Sequence, residues 1–92
     1  MINGLYIIKD KLSGVAMDKP QAIINDACAV YGFNEFLKSD KVTRKECYQL
    51  IRVGVYNDET FEVSGGVNVV CDGSDAENVL NELIANRIGD EN

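Results

Sequence analysis

The stretch "YQLIRVGVYNDETFEV", residues 48–63, decides the fold of this chain. Residues 48–56 are rich in β-branched and aromatic side chains, a composition typical of a β-strand. "NDET", residues 57–60, has the composition of a turn, because Asn and Asp side chains bond back to the local backbone. The strand pattern resumes at "FEV". The stretch therefore predicts a hairpin of two antiparallel strands.

The two faces of the first strand of this hairpin differ in polarity. Ile51, Val53 and Val55 lie at alternate positions and are all apolar, whereas the opposite face includes Tyr48 and Arg52. Side chains alternate between the two faces of a strand. We therefore expect the face with the three aliphatic residues to be buried and the other face to be half exposed.

Three further segments predict strands, because each is short, apolar and bounded by Gly, Pro or polar residues. They are residues 5–10, 15–18 and 67–71. Pro20 has no N–H group to donate and is expected to end the pairing of the first two. "SGG", residues 64–66, is expected to break the chain before the last strand.

Two helices are predicted from capping signals and from apolar residues at helical spacing. The first follows Asn25, a good N-cap, and we expect its Gly32 to mark the close approach of another backbone. The second begins at a capping box formed by Ser74 and Glu77 and stops at Gly89. The apolar face of the first helix holds Ala29, Phe33, Phe36 and Leu37.

These elements predict a single α+β domain that spans residues 1–92. Their order, ββα–βββα, favours a small antiparallel sheet of four to five strands packed with two helices. The chain is 46% hydrophobic. A chain of this length should bury roughly 60–70% of the surface that its unfolded form exposes.

The residues that most enzymes use are scarce in this sequence. It has no histidine, the commonest general base and metal ligand. Its three cysteines, Cys28, Cys47 and Cys71, form no C-x-x-C pair, so we expect small buried hydrophobes in a reducing compartment. We predict a non-enzymatic protein with no cofactor, no metal and no catalytic residues. No run approaches the roughly 20 apolar residues of a membrane-spanning helix, so we predict a cytoplasmic protein without membrane contact.

Charge is distributed unevenly along the chain. Residues 1–56 hold eight Lys and Arg against six Asp and Glu, whereas residues 57–92 hold only Arg87 against nine acids, so +2 and −8 give the net charge of −6. A basic strip with an aromatic residue is the minimal equipment for binding single-stranded nucleic acid. Its members here are Lys38, Lys41, Arg44, Lys45, Tyr48 and Arg52. The alternative is a solvated loop that the acidic half balances.

The second predicted helix carries an apolar stripe, which provides a candidate oligomer interface. The stripe could pack within the chain or across a two-fold axis, and we predict a homodimer. Its residues are Val79, Leu80, Leu83, Ile84 and Ile88.

Several segments, taken in order, resemble one known family. "YIIKDKLSG", Pro20, "INDACA" and "YQLIRVGVYNDET" are similar to the small non-structural protein of gokushovirus-type microviruses, which are single-stranded DNA bacteriophages. The most recognisable feature of that family is a strand of the form Y-x-L-x-x-x-G-x-Y-D-x-x-T. This chain matches it at Tyr48, Leu50, Gly54, Tyr56 and Thr60. Asn57 replaces the aspartate, and Phe61 stands where a glycine commonly follows the threonine.

The resemblance implies an accessory protein of infection that is not part of the capsid, with a role in DNA replication or in the switch to genome packaging. Our first hypothesis is therefore a non-enzymatic phage accessory protein that acts through macromolecular contacts in the cytoplasm of an infected bacterium. Its partner would be a phage or host replication protein. Direct binding of single-stranded DNA through the basic strip is the alternative. A third hypothesis is a host-factor inhibitor or nucleic-acid mimic that acts through the acidic half.

Overall fold

A computed structural model describes residues 1–89 of the chain, with side chains up to Arg87. In that range, one five-stranded antiparallel sheet combines with two α-helices, and the predicted α+β class is confirmed. The strands are β1 (Ile2–Asp10), β2 (Val15–Ala16), β3 (Gln21–Ile23), β4 (Tyr48–Asn57) and β5 (Val63–Asp72). The helices are α1 (Asp26–Leu37) and α2 (Ala76–Gly89), so the order is βββα–ββα and not ββα–βββα.

The strands lie in the order β2–β1–β4–β5. β3 pairs with the first half of β1, and β2 pairs with its last two residues. β2 and β3 are therefore two pieces of one edge strand that Pro20 interrupts. The expectation that Pro20 ends this pairing was wrong, because the ladder resumes at Gln21, which lies opposite Tyr6. Pro20 falls in the gap between the two pieces, where its missing N–H group costs no ladder hydrogen bond.

The hairpin predicted from residues 48–63 is present as β4 and β5. The Asn57 side chain closes its turn, because Oδ1 accepts hydrogen bonds from the backbone N–H groups of Glu59 at 2.9 Å and Thr60 at 3.3 Å. The expected break at "SGG" is absent, since Gly65 and Gly66 lie inside β5. A register shift at this point accommodates the extra residue as a bulge.

The helices cover one face of the sheet. The buried cluster between the layers includes Tyr6, Leu50 and Cys71 from the strands and Val30 and Phe33 from α1. Because side chains alternate along a strand, the residues next to these in sequence lie on the opposite face.

The expectation for the buried face of β4 was therefore wrong, since the helices cover the face that includes Leu50. Ile51 is only 7% exposed, but it does not belong to the buried cluster. A bulge at Val53, where the register with β1 shifts, then reverses the alternation. Val55 consequently lies opposite Gly4 on the helix side and is partly exposed.

The start of α1 agrees with the prediction. Asn25 is the N-cap, and its Oδ1 accepts a hydrogen bond of 2.8 Å from the N–H group of Cys28. The close approach expected at Gly32 does not occur, because a Cβ atom built there would meet nothing within 4 Å. The buried Asn34 instead joins the two helices. Its Nδ2 donates to the carbonyl groups of Val30 at 2.9 Å and Ala76 at 3.0 Å.

The start of α2 differs from the predicted capping box. The helix begins at Ala76, and in the described part of the chain the side chains of Ser74 and Glu77 make no hydrogen bond. The loop is fixed instead at Gly73, whose N–H group donates to the carbonyl of Tyr48 at 2.9 Å. A Cβ atom on Gly73 would lie 1.8 Å from the carbonyl oxygen of Lys45. The predicted helix stop, Gly89, is the last residue that the structure describes.

Candidate interaction surfaces

The predicted basic strip does not form a continuous surface, because Arg52 is bound inside the fold. Its Nη1 donates to both carboxylate oxygens of Asp26, at 3.0 and 3.2 Å. Arg52 faces the helices from β4, opposite Tyr6 on β1, and its side chain is 33% exposed. This cation is therefore neutralised by the first turn of α1.

Tyr48, the aromatic member of the strip, is also used in packing. Its ring meets the ring of Phe36 edge to face, with the centroids 5.2 Å apart and the planes at 84°. Tyr48 is half-buried, and it packs against the core cluster. A base could stack on this ring only if this contact were given up.

The other four cations of the strip remain exposed between α1 and β4. Lys38 lies 3.7 Å from Glu35, and Arg44 lies 3.3 Å from Glu46. Within the described residues, Lys41 and Lys45 make no ion pair. The structure therefore keeps a short basic loop, residues 38–45, and separates it from Tyr48 and Arg52.

A part-buried network of Tyr6, Asp26 and Arg52 was not predicted from the sequence. The Tyr6 hydroxyl donates to Oδ1 of Asp26 at 2.5 Å, so one carboxylate joins β1, β4 and α1. Burial, followed by the hydrogen bond to Asp26, raises the pKa of Tyr6 to about 12. The network stabilises the packing of the N-terminus of α1 against the sheet. No local pattern predicts this contact, because Tyr6 and Asp26 are 20 positions apart in the sequence.

The apolar stripe predicted on α2 packs mainly within the chain. Val79, Leu80 and Leu83 are half-buried against the core cluster. Ile84 is 42% exposed, and the side chain of Ile88 lies outside the described residues. The structure thus leaves Ile84 as the exposed member of the stripe among residues 76–87.

The sheet face opposite the helices carries an apolar row that no described helix covers, in which Val69 is 55% exposed and Ile51 only 7% exposed. Ile7, Ile51 and Val69 lie side by side on β1, β4 and β5. Leu5 extends this row along β1 on the same face. We call these four residues the outer sheet surface. No helix among residues 1–89 covers it, since both helices contribute to the cluster on the other face.

The edge strand β5 continues the outer sheet surface toward solvent. It pairs with β4 on one side only, and Val63, Val67 and Val69 are 63%, 74% and 55% exposed. Residues 63–71 contain no charged side chain. Exposed apolar edge strands are sites of association unless charge or proline blocks them. The opposite edge, β2 and β3, is blocked in this way by Asp18, Lys19 and Pro20.

The cysteines differ in burial, and the expectation that all three are buried was wrong for Cys28. Cys28 is exposed, Cys47 is half-buried, and Cys71 is buried. Burial, followed by the nearby charges of Asp72 and Asp75, raises the pKa of the Cys71 thiol to about 11. Cys28 is exposed because it lies on the solvent side of α1, away from Ala29 and Val30.

Asp72 belongs to a polar row that borders the outer sheet surface. Its Oδ1 lies 2.7 Å from Nζ of Lys11 and accepts a hydrogen bond of 3.1 Å from Gln49. The hydrogen bond from Lys11 lowers the pKa of Asp72. Across β4 and β1 this row continues through Gln49 to Lys9. The apolar row of Ile7 is therefore flanked by polar side chains.

In the range that the structure describes, no three Cys, Asp or Glu side chains cluster as a metal site would require. None of the helices placed by the structure has the length and apolar character needed to cross a membrane. The sequence matches no protein-family model, and comparisons with curated proteins and with solved structures find no match. The likeness to the microvirus protein therefore stays a prediction.

Proposed function

We propose that this chain is a non-enzymatic accessory protein that acts through macromolecular contacts, as a homodimer joined at the outer sheet surface. The observation that carries the proposal is the row Ile7–Ile51–Val69 on a sheet face without helices. Two such faces can pack against each other as in β-sandwiches, where sheets lie about 10 Å apart. The interface would be apolar at its centre and polar at its rim, as stable interfaces are.

The charges at the two ends of this face favour a second copy as the partner. Lys9 lies at one end and makes no ion pair with the described side chains. Asp58 and Glu59 lie at the other end, where the Met1 amino group forms ion pairs with both, at 2.6 and 2.9 Å, so these three groups carry a balance of −1. A two-fold axis perpendicular to the strands places the Lys9 end of one copy over the acidic end of the other. Such a pairing offsets part of the repulsion between two chains of net charge −6.

The biological setting that we propose is infection of a bacterium by a single-stranded DNA phage, and it rests on the sequence resemblance. The dimer would work in the host cytoplasm and contact a phage or host replication protein during replication or the switch to packaging. Genome context tests this part: neighbouring genes for a microvirus capsid and replication initiator are expected. Flanking genes of a cellular operon would contradict the setting and leave the dimer proposal intact.

Static light scattering at high micromolar concentration tests the dimer. The wild-type chain is expected at about twice its mass of 10.1 kDa. Val69→Glu places a charge on the most exposed member of the apolar row and should give the monomer mass. Circular dichroism shows whether the variant keeps its fold, which we expect because Val69 is 55% exposed in the single chain.

Ile84→Glu is the matched control, because it places the same charge on the exposed member of the α2 stripe. This variant should remain dimeric. A folded monomer from Ile84→Glu, together with a dimer from Val69→Glu, would contradict a dimer interface at the outer sheet surface and support one at the α2 stripe. A wild-type monomer at all concentrations would overturn the homodimer itself.

Binding of single-stranded DNA is a second candidate function, which the exposed loop 38–45 favours. Lys41 and Lys45 make no ion pair within the described residues and are free to contact phosphate. Titration of a fluorescent oligonucleotide at about 50 and about 200 mM salt should show binding that weakens steeply with salt. Arg44→Ala with Lys45→Ala should weaken it further, whereas Arg52→Met should not. No binding at the lower salt would exclude this function. The third hypothesis, an inhibitor that acts through the acidic half, stays a prediction.

A further inference from the structure

A cleft between α1 and the interrupted edge strand has no role in the functions considered above. It has a volume of about 410 Å³ and opens where β2 ends and β3 has not yet begun. The last ladder contact before the gap is the hydrogen bond of 2.8 Å from the N–H group of Met17 to the carbonyl of Ile8. Pro20 keeps the next residues from closing the edge. The volume lies within the range of clefts that bind small molecules.

The floor of the cleft is apolar. Ile8 and Leu50 line it from the sheet, and Phe33 and Phe36 line it from α1. Tyr6 and Ile23 close the end nearest the start of α1. The cleft thus reaches the edge of the hydrophobic core, and an apolar group placed there would cover the half-buried Ile8, Ile23 and Phe36.

Gly32 forms part of the cleft wall. A Cβ atom at this position would meet no atom within 4 Å, and Gly32 is exposed. Glycine in the middle of a helix lowers helix stability relative to alanine. Its presence in α1 leaves space in the cleft that any larger side chain would occupy.

The mouth of the cleft is positively charged. Lys19 and Lys41 line it from opposite sides, together with Asp18 and Gln21. Neither lysine makes an ion pair with any side chain of residues 1–87. Asp18 accepts a hydrogen bond of 2.7 Å from the backbone N–H of Lys19. The charged side chains that line the mouth are two lysines and one aspartate, so their charges sum to +1.

From the apolar floor and the two lysines we infer that the cleft binds a small amphipathic carboxylate, with its tail against Ile8 and Phe36 and its carboxylate near Lys19 and Lys41. A carboxylate accepts charge-assisted hydrogen bonds from both ammonium groups. The tail gains the free energy of leaving water. The cleft shares Lys41 with the basic loop 38–45 and Ile7 with the outer sheet surface, but carboxylate binding can be measured without DNA and without a change in oligomeric state.

Isothermal titration calorimetry with decanoate tests the site, and decanol and decyltrimethylammonium test the role of the carboxylate. Decanoate should bind with one site per chain and at least about tenfold more tightly than the neutral and cationic analogues, since one charge-assisted hydrogen bond of about 1.5 kcal/mol corresponds to about tenfold. Equal affinity for all three ligands would contradict binding of the carboxylate by the two lysines. No binding of decanoate would overturn the site.

Three variants locate the ligand. Gly32→Leu fills the cleft and should abolish binding, and Lys41→Met should weaken binding of decanoate about tenfold. Lys45→Met, a lysine of the same loop that does not line the cleft, is the control and should bind as the wild type does. Thermal unfolding identifies any variant that fails to fold, and Lys41→Met alone then decides the outcome. Unchanged affinity in folded Gly32→Leu or in Lys41→Met would place the ligand elsewhere and contradict the inference.

Discussion

Arg52 on β4 donates to both carboxylate oxygens of Asp26 in the first turn of α1, at 3.0 and 3.2 Å. The two residues are 26 positions apart in sequence. Their ion pair attaches the start of the helix to the centre of the sheet, and the Tyr6 hydroxyl binds the same carboxylate. An arginine expected to contact DNA therefore has a structural role.

Arg52→Met should lower the free energy of unfolding by about 1 kcal/mol. The two side chains are about one-third exposed. Solvent therefore screens the pair in part, and we expect a contribution near the upper end of the range of about 0.2–1 kcal/mol for surface ion pairs. Urea denaturation measures the change. Lys45→Met, which removes an exposed cation without an ion pair, should leave stability within about 0.5 kcal/mol of the wild type. Equal losses in the two variants would contradict the structural role of Arg52.

Alkaline pH should destabilise the protein through Tyr6. The pKa of Tyr6 is raised from 10.0 to about 12 in the folded state, so the folded state holds this proton more tightly than the unfolded state does. Its contribution to stability is therefore complete below pH 10.0 and is lost as pH rises through about 12. Denaturation across this interval measures the loss.

Tyr6→Phe is the control for that experiment, because it removes the titrating group and keeps the ring. It should be less stable than the wild type below pH 10.0, since the hydrogen bond to Asp26 is missing. The difference between the two proteins should narrow toward pH 12. A stability difference that stays constant over this range would show that the pKa of Tyr6 is the same in the folded and unfolded states.

Two glycines should respond in opposite directions to alanine. Gly73→Ala places Cβ 1.8 Å from the carbonyl oxygen of Lys45, and the backbone must shift, so we expect a loss of more than about 3 kcal/mol. Gly32→Ala adds a methyl group in open space and should stabilise α1 by about 1 kcal/mol. Thermal denaturation of both variants checks the pair. A stable Gly73→Ala protein would contradict the packing of the loop before α2.

The hairpin turn is strained at Phe61, which has a φ of 67° and is 75% exposed. A bulky residue with positive φ is an outlier, whereas glycine adopts this conformation readily. Phe61→Gly should therefore stabilise the protein by about 1 kcal/mol. Phe61→Ala keeps the strain and should stabilise little. A loss of stability in the glycine variant would mean that the ring makes contacts worth more than the strain.

Short-range chemistry made much of this fold predictable. The Asn25 cap and the turn at Asn57 depend on side chains that bond to their own backbone neighbours, and both were read correctly. The two helices follow from the same local signals, whereas the strands do so only in part, because β3 is absent from the predicted segments and the strands expected at 61–63 and 67–71 are replaced by the single strand β5.

Most of the errors concern partners that are distant in sequence, and the capping box expected at Ser74 and Glu77 is the local exception. Gly32 and Gly73 look alike in a sequence, and only the tertiary fold decides which of them another backbone approaches. A bulge at Val53 reverses the faces of β4, and no periodicity reveals such an insertion in advance. Arg52 was assigned to solvent because Tyr6 and Asp26 meet it only after the sheet and α1 have packed.

The most direct test of the central claim is an isotope-filtered NOE spectrum of a mixed sample, in which half of the copies carry ¹³C-labelled methyl groups. If two copies pack through the outer sheet surface, the methyl groups of Ile7, Ile51 and Val69 on a labelled chain will show contacts to an unlabelled chain. A dimer whose intermolecular contacts arise from Ile84, or a spectrum with no intermolecular contacts at high micromolar concentration, would contradict the account.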